Sequence, residues 1–516
     1  MSMMIRGLSS RASNTPRVAI LLFTAWTGSV LAQAPAPSGQ AAAPAPAAKP
    51  AAGSSDMLPP LPADAHVDQT IQLNGKTLKY TATVGTIPVY GKDGKKSADV
   101  VYTAYTMDGQ NRPVTFAFNG GPGAASVYLN LGAIGPKTVQ FGDAGDSPSD
   151  TPALKDNPGT WLDVSDLVFI DPVGTGFSRS YLNADETRKE FYTADTDIAY
   201  LSRVVFDWLV KNERLQSRKY LVGESYGGYR GPRLTHYLQS QIGVAINGLF
   251  LVSPFLNPSI DENGDLSPMP WIIDLPSMAA AQLERKKSLT AEAMANVISY
   301  ARGEYATDLL KGRSDPQALD RIVKRVTELT GLDPAFVRHS GGRIDISAYL
   351  REVAREQGKI GSVYDSNVTA FDPFPFAPNQ QSNDPLLESI IAPTTSAMVD
   401  FVTRVVGWKV AARYNALSYE VAGGWERNSQ SLRNGAVPDL RQAVAADPKL
   451  RVLIAHGWND LSCPFMGSVL TVDQMPVMGD AARVEVHEYP GGHMFYSRAD
   501  SRAAFKKDVI AVFEKH

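Results

Sequence analysis

Apolar and polar residues alternate through TIQLNGKTLKYTATVGTIPVY, and Asn74-Gly75 interrupts the alternation. A two-residue Asn-Gly break between alternating runs predicts a β-hairpin, because the tight turn needs residues that tolerate left-handed backbone. ADVVYTAYTM predicts the next strand. From there the pattern changes. PVTFAF, DLVFI, RKYLVG, AINGLFLV, LRVLIA and ARVEVHEY are short apolar runs, most of them continuous and ending at a loop. Such runs suit strands buried on both faces, as in a parallel sheet covered by helices on either side. Between them the spacing is helical. Ile198, Leu201, Val205 and Leu209 share one face of a helix predicted from about Ala194 to Lys211. A second helix is predicted from about Gly227 to Ser240, and SRAAFKKDVIAVFEKH closes the chain as an amphipathic one.

The strand rhythm stops after Pro258 and returns near Leu450. Charged, mostly helical sequence such as DPQALDRIVKRVTEL fills the gap, so residues 259–430 are expected to form a cap inserted into an α/β core of residues 66–258 and 431–516. Ligands bind beyond the carboxyl ends of the strands in open α/β sheets, where such a cap would wall the pocket. Ahead of the core, Arg6, Arg11 and Arg17 precede the apolar run VAILLFTAWTGSVLA, which ends in Val30-Leu31-Ala32. This predicts an export signal over residues 1–32, removed on maturation. The run is shorter than the ~20 residues of a comfortable membrane span, so no stable insertion is expected afterwards. Residues 33–65 are Pro/Ala-rich and read as a disordered tether.

Composition narrows the partners. A net charge of −3 over 516 residues gives no basic face for nucleic acid. Cys463 is the single cysteine, which excludes a disulfide within the chain and a Cys-based metal site. No His or Cys cluster has metal-ligand spacing, and no metal or cofactor is expected. The tether and the missing disulfides suit a bacterial periplasm, with the extracellular space as the alternative. Oligomeric state is not encoded in any visible pattern.

The candidate chemistry lies in KYLVGESYGGYR. Gly223-Glu224-Ser225-Tyr226-Gly227 fits G-x-S-x-G, in which a sharp strand-to-helix turn exposes a serine oxygen and glycine fits on both sides. A tight turn with a capping serine is the simpler reading, but here a strand leads in and a helix leads out. A serine nucleophile needs a base and a group that orients it, in the chain order Ser, acid, His for this architecture. His493, behind Gly491-Gly492 in a post-strand loop, is the best-placed histidine after Ser225; His456 and His487 fall in or near strands. Asp460 ends the preceding strand in LIAHGWND and supplies the acid, although Asn459-Asp460 also reads as a turn. Two backbone amides are expected to hold an oxyanion: that of Tyr226, directly after the nucleophile, and that of Gly121, in the loop FNGGPGAAS.

These residues resemble the serine carboxypeptidases, a branch of the α/β-hydrolases. The likeness rests on NGGPGAAS, on NPGTWLDVSDLVFIDPVGTGFSRS and on VGESYGGYR, and more loosely on HGWNDLSCPF and GGHMFY. It covers about Val114 to Pro258 closely and the chain from Leu450 more weakly; the cap shows none. It implies an α/β-hydrolase fold and removal of C-terminal residues from peptides through an acyl-enzyme on Ser225. It also implies that Asn119 and Glu224 bind the substrate's terminal carboxylate. Two charged carboxylates cannot share that position, so Glu224 would have to be protonated there, and acidic conditions would be favoured. The chain departs from the family at Ala117-Phe118, where Trp-Leu is usual, and at Ala124, where a cysteine is. Cys463 falls near the implied pocket, as a thiol lining it or as a small buried filler. An esterase or acyltransferase on the same scaffold is the alternative activity. A catalytically silent binding module is a third reading, disfavoured because the whole set of reactive groups is present.

Overall fold

Asn74 and Gly75 both take positive φ (50° and 74°) and close a two-residue turn between β1 (Ala65–Leu73) and β2 (Lys76–Tyr90). That hairpin opens a ten-stranded sheet in the computed structural model, which describes residues 59–109, 111–141, 148–258, 267–378 and 380–515. The expected export signal and the tether up to residue 58 lie outside the described residues. The fold proper begins at Leu61: Asp64 accepts from the Tyr102 hydroxyl (2.9 Å) and pairs with Lys211 (2.5 Å).

β3 (Lys96–Thr106) continues the antiparallel edge. Then β4 (Val114–Phe118), β5 (Asp166–Ile170), β6 (Lys219–Glu224), β7 (Gly248–Val252), β8 (Arg451–Gly457) and β9 (Val484–Tyr489) run parallel, in the spatial order β1-β2-β3-β5-β4-β6-β7-β8-β9, with Arg179–Ser180 pairing on β3. This is the mostly parallel α/β sheet expected from the continuous apolar runs. Every residue of β4, β5, β6 and β7 is buried.

Alternate side chains enter opposite cores. Phe116, Phe118, Leu249 and Leu251 pack with α1 (Ala194–Lys211), α2 (Tyr226–Tyr237) and, further on, the helix at Val437–Ala446. Ala117, Val222, Phe250 and Val252 pack on the other face, against Phe505 and Val509 of the C-terminal helix Ala499–Glu514. Helix α1 matches its predicted bounds and is capped by the Thr193 hydroxyl. Helix α2 ends at Tyr237 and passes into a wider π turn over Leu238–Ile242.

Between β7 and β8 the described residues are mostly helical, with one small antiparallel pair, Lys359–Gly361 and Thr369–Phe371. Helices α3 (Met269–Arg285) and α4 (Pro316–Thr330) anchor a separate apolar cluster that runs from Ile272 to Leu350 and takes in Leu461. The later part of the same insertion behaves differently: Ala397, Phe401, Trp408 and Tyr414 belong to the core under the sheet. Their apolar faces find cover there. No helix among the described residues is long and apolar enough to cross a membrane.

One buried ion pair ties α1 to α2. Arg230 donates to Asp197 (2.6 Å) and, through its other arm, to the Asn119 carbonyl (2.7 Å), with both side chains essentially solvent-free. Removing one partner strands a buried charge. Asp197→Ala is therefore expected to lower the unfolding free energy by about 3–5 kcal/mol. Asp207→Ala, which breaks the exposed pair with Arg203 on α1, is expected to cost under about 0.5 kcal/mol. Urea unfolding of both variants measures the contrast, and equal losses would refute it.

Candidate active site

Five strand ends converge at one edge of the sheet. β4 delivers Asn119, β6 delivers Glu224 and Ser225, β7 delivers Ser253, β8 delivers Asp460, and β9 delivers His493. This is the carboxyl edge of the parallel strands, where an α/β sheet leaves a crevice.

Ser225 sits between β6 and α2 with φ 59° and ψ −122°, a conformation that residues with a β-carbon avoid. Its amide donates to the Val252 carbonyl (3.0 Å), and its own carbonyl accepts from the amides of Gly228 (2.8 Å) and Phe255 (3.0 Å). The turn is too tight for neighbouring side chains. A β-carbon on Gly223 would lie 2.0 Å from the Gly227 carbonyl oxygen, and one on Gly227 would lie 2.2 Å from that of Phe118. Ser225 is half-buried, while Glu224 and Tyr226 on either side are buried.

The glycine loop after β4 presses against this elbow. A β-carbon on Gly120 would lie 2.4 Å from the Tyr226 amide nitrogen and 2.8 Å from the Ser225 β-carbon. Gly121 takes φ 101°. The loop is pinned from outside, since Ser418 donates its amide to Gly123 (2.7 Å) and Ala125 donates to Ala416 (3.0 Å). The backbone of Gly120, the residue before Gly121, thus abuts the Tyr226 amide.

His493 Nδ1 meets Asp460 Oδ2 at 2.8 Å, with both side chains buried. The other oxygen of Asp460 accepts the amides of Ser462 (2.8 Å) and Cys463 (3.0 Å), which fixes the carboxylate's orientation. Burial alone would lower the affinity of His493 for a proton, but Asp460 and then Glu224 outweigh it and hold the imidazole pKa above its ordinary value. The ring is clamped further. Its amide donates to the Tyr364 carbonyl (2.6 Å), its carbonyl accepts from Ser253 Oγ (2.8 Å), and the Tyr364 ring meets it edge-on at 5.2 Å.

Glu224 is 2% exposed. Its Oε2 accepts from Asn119 Nδ2 (2.9 Å) and from the Tyr496 hydroxyl (2.8 Å). Burial pushes its pKa up to about 7, against the pull of His493, Tyr496 and Asn119. Each group acts on the other: a proton on Glu224 removes a charge that favours the imidazolium. Asn119 is itself fixed, its Oδ1 accepting the Leu129 amide (2.9 Å).

Of the residues expected at the site, Asn119, Glu224, Ser225, Asp460 and His493 follow these strand ends and Tyr226 opens the helix after Ser225; hydrogen bonds join Asp460 to His493 and Asn119 to Glu224, while Gly121 lies in the glycine loop beside them. Reading the sequence did not single out Tyr496, Ser253, Tyr364 or Arg230. Tyr496 lies in the quoted GGHMFY, but its reach to Glu224 is a tertiary contact without a local signal. Tyr364 comes from the cap. His456 is structural: fully buried, it bonds Ser468 Oγ (2.8 Å), and burial drives its pKa down to about 3. Among the described residues no group of carboxylates, histidines or cysteines is arranged to hold a metal.

A family model described as serine carboxypeptidase matches residues 92–505, and the chain belongs to that family. It is 30% identical over 160 residues to serine carboxypeptidase-like 36 of Arabidopsis thaliana, covering 30% of this chain and 31% of that protein. It is 31% identical over 134 residues to carboxypeptidase S1 of Penicillium janthinellum, covering 26% and 28% of the two chains. The match thus spans about a third of the length of these curated relatives. A solved prohormone-processing carboxypeptidase from Saccharomyces cerevisiae is similar in fold, with a TM-score of 0.54 and 15% identity over 84% of this chain and 91% of that one.

The close approach at Gly120 generates a test. Gly120→Ala is expected to slow modification of Ser225 by a fluorophosphonate about a hundredfold or more, because the new methyl displaces the Tyr226 amide. Gly303→Ala in the insertion, where the methyl meets nothing within 4 Å, is expected to leave the rate unchanged. A Gly120→Ala variant that labels at the wild-type rate would show that this packing does not shape the site.

Proposed function

We propose that the chain is an exported serine carboxypeptidase that removes C-terminal residues from peptides. The observation that carries the reading is the Glu224 carboxyl, poised near neutrality by its burial and held beside the nucleophile by Asn119 and Tyr496. A protonated carboxylic acid and an amide are donors suited to a free C-terminal carboxylate. Placed next to Ser225, they bring the last peptide bond of a substrate to the nucleophile.

In this reading Ser225 Oγ attacks the last peptide carbonyl while His493 takes its proton. Asp460 holds the imidazole in the right tautomer and balances the imidazolium. The Gly121 and Tyr226 amides stabilise the oxyanion as it forms. His493 then protonates the departing amino group, and water, activated by the same imidazole, releases the acyl chain. Glu224 contributes twice. Protonated, it receives the substrate carboxylate, and without its charge His493 stays neutral to lower pH. The apolar N-terminal run and the tether support export, with a periplasm as the proposed location.

The pH dependence has a definite sign. The donor form of Glu224 prevails below about 7 and is lost above it, so release of C-terminal residues is expected to weaken as pH rises through neutrality. Glu224→Gln is expected to flatten that loss, since the amide donates at every pH. Identical weakening in the two enzymes would remove Glu224 from this role.

A matched pair of blocked dipeptides at about pH 5 tests the function itself. One has a free C-terminal carboxylate, the other is amidated, and Ser225→Ala serves as control. Release of the last residue from the free acid alone is expected. Ser225-dependent hydrolysis of a simple ester, with neither peptide cleaved, would move the function to an esterase or acyltransferase.

A further inference from the structure

A polar cluster outside the triad joins the insertion to both catalytic loops. Arg498, five residues after His493, donates to both oxygens of Glu284 at the end of α3 and to Asp365 Oδ2 (2.8 Å). Asn459, the residue before Asp460, donates its side-chain amide to the same Glu284 (2.5 Å) and, at 3.4 Å, to the same Asp365. Asn367 adds a donor to Glu284 (2.6 Å), and Arg285 holds Asn367 in turn (2.7 Å). Two carboxylates of the insertion are thus bridged by one guanidinium and one amide, each carried by a catalytic loop. The planar fork of arginine suits this bridging in a way that a lysine ammonium does not.

The cluster sits directly over backbone contacts that reach the triad. Val363, Tyr364 and Asp365 form a short segment across both loops. The Val363 carbonyl accepts the Leu461 amide (3.0 Å), and the Tyr364 carbonyl accepts the His493 amide (2.6 Å). The two loops are joined to each other as well, Asn459 donating its amide to Gly491 (2.8 Å). The fit is close: a β-carbon on Gly492 would lie 2.0 Å from the Tyr364 carbonyl oxygen and 2.5 Å from the Asp365 β-carbon. Asp460 is therefore flanked by insertion contacts on both sides, through Asn459 and Leu461, and His493 is held by the same segment.

We infer that Arg498 is a positioning residue that registers the segment Val363–Asp365 against Asp460 and His493, so that the insertion sets the geometry of the base as well as walling the pocket. Without the guanidinium, Glu284 and Asp365 face each other with the Asn459 and Asn367 amides alone between them. Their repulsion then loosens the segment that carries the Tyr364 carbonyl. The imidazole is displaced while the groups that bind the substrate carboxylate, Asn119 and Glu224, stay where they are.

The inference rests on the proposed triad, and its test separates the two. The rate of fluorophosphonate labelling at Ser225, kcat and KM on a free-acid dipeptide, and thermal unfolding are measured for the mature wild-type chain, Arg498→Met and Glu284→Gln. Arg498→Met is expected to lose about 10–100-fold in labelling rate and in kcat with KM changed less than about threefold, since small misplacements of a catalytic group cost this much. Glu284→Gln keeps the hydrogen-bond acceptor and removes one charge, and is expected to lose about 3–10-fold in the same two quantities. If both variants label and turn over at the wild-type rate, Arg498 is structural and the inference fails, whatever happens to the melting temperature. If Arg498→Met does not fold, Glu284→Gln decides alone. A wild-type chain that neither labels nor turns over would instead overturn the proposed function.

Discussion

A serine held at positive φ at the end of a buried strand is the constraint around which the rest is arranged. Such a conformation costs about 1–3 kcal/mol and persists only where the surroundings over-determine it. Here three backbone hydrogen bonds do so, from β7 and the segment after it and from the first turn of α2. The glycines at 120, 223 and 227 are consequences of the same geometry, because each stands where a methyl group would strike backbone atoms. The strain turns the side chain of Ser225 outward at the carboxyl edge of the sheet, and every other reactive group arrives there on a strand end.

The electrostatics of the edge depend on its dryness. Asp460, Glu224 and His493 are all buried, so each charge is felt strongly by the others. One oxygen of Asp460 accepts two backbone amides and the other meets His493 Nδ1. Glu224 has the Asn119 and Tyr496 donors and the charge of His493 to favour its anion, and burial prevails over them. The two carboxyl groups differ in what they accept: Asp460 takes two peptide amides and the His493 ring, whereas Glu224 takes an Asn and a Tyr in a closed pocket, where burial brings its proton exchange near neutrality.

The insertion is more than a cover. Its first half builds an apolar cluster of its own, which includes Leu461 beside Asp460, while its second half lays Phe401, Trp408 and Tyr414 under the sheet. Residues 416–418 pin the glycine loop on one side of the site, and residues 363–365 hold the acid and base loops on the other. The loops that carry Asp460 and His493 thus lie between the sheet and a helical layer anchored to it through several independent contacts.

The sequence by itself determined the architecture and pointed to the candidate reactive residues. Continuous apolar runs specified buried parallel strands, and Asn74-Gly75 specified the hairpin, because these signals act over a few residues. Ser225, Asp460, His493, Gly121 and Tyr226 were singled out as candidates because each stands near a strand end beside glycine or turn residues, and Asn119 and Glu224 because of the resemblance to the serine carboxypeptidases. Tertiary structure alone decided what surrounds them. That Tyr496 reaches Glu224 across 272 residues, that Tyr364 clamps His493, and that Arg498 bridges two carboxylates of the insertion has no periodicity to betray it. Those contacts depend on how helices far apart in the chain pack, and packing is set by the shapes of whole faces rather than by any local pattern.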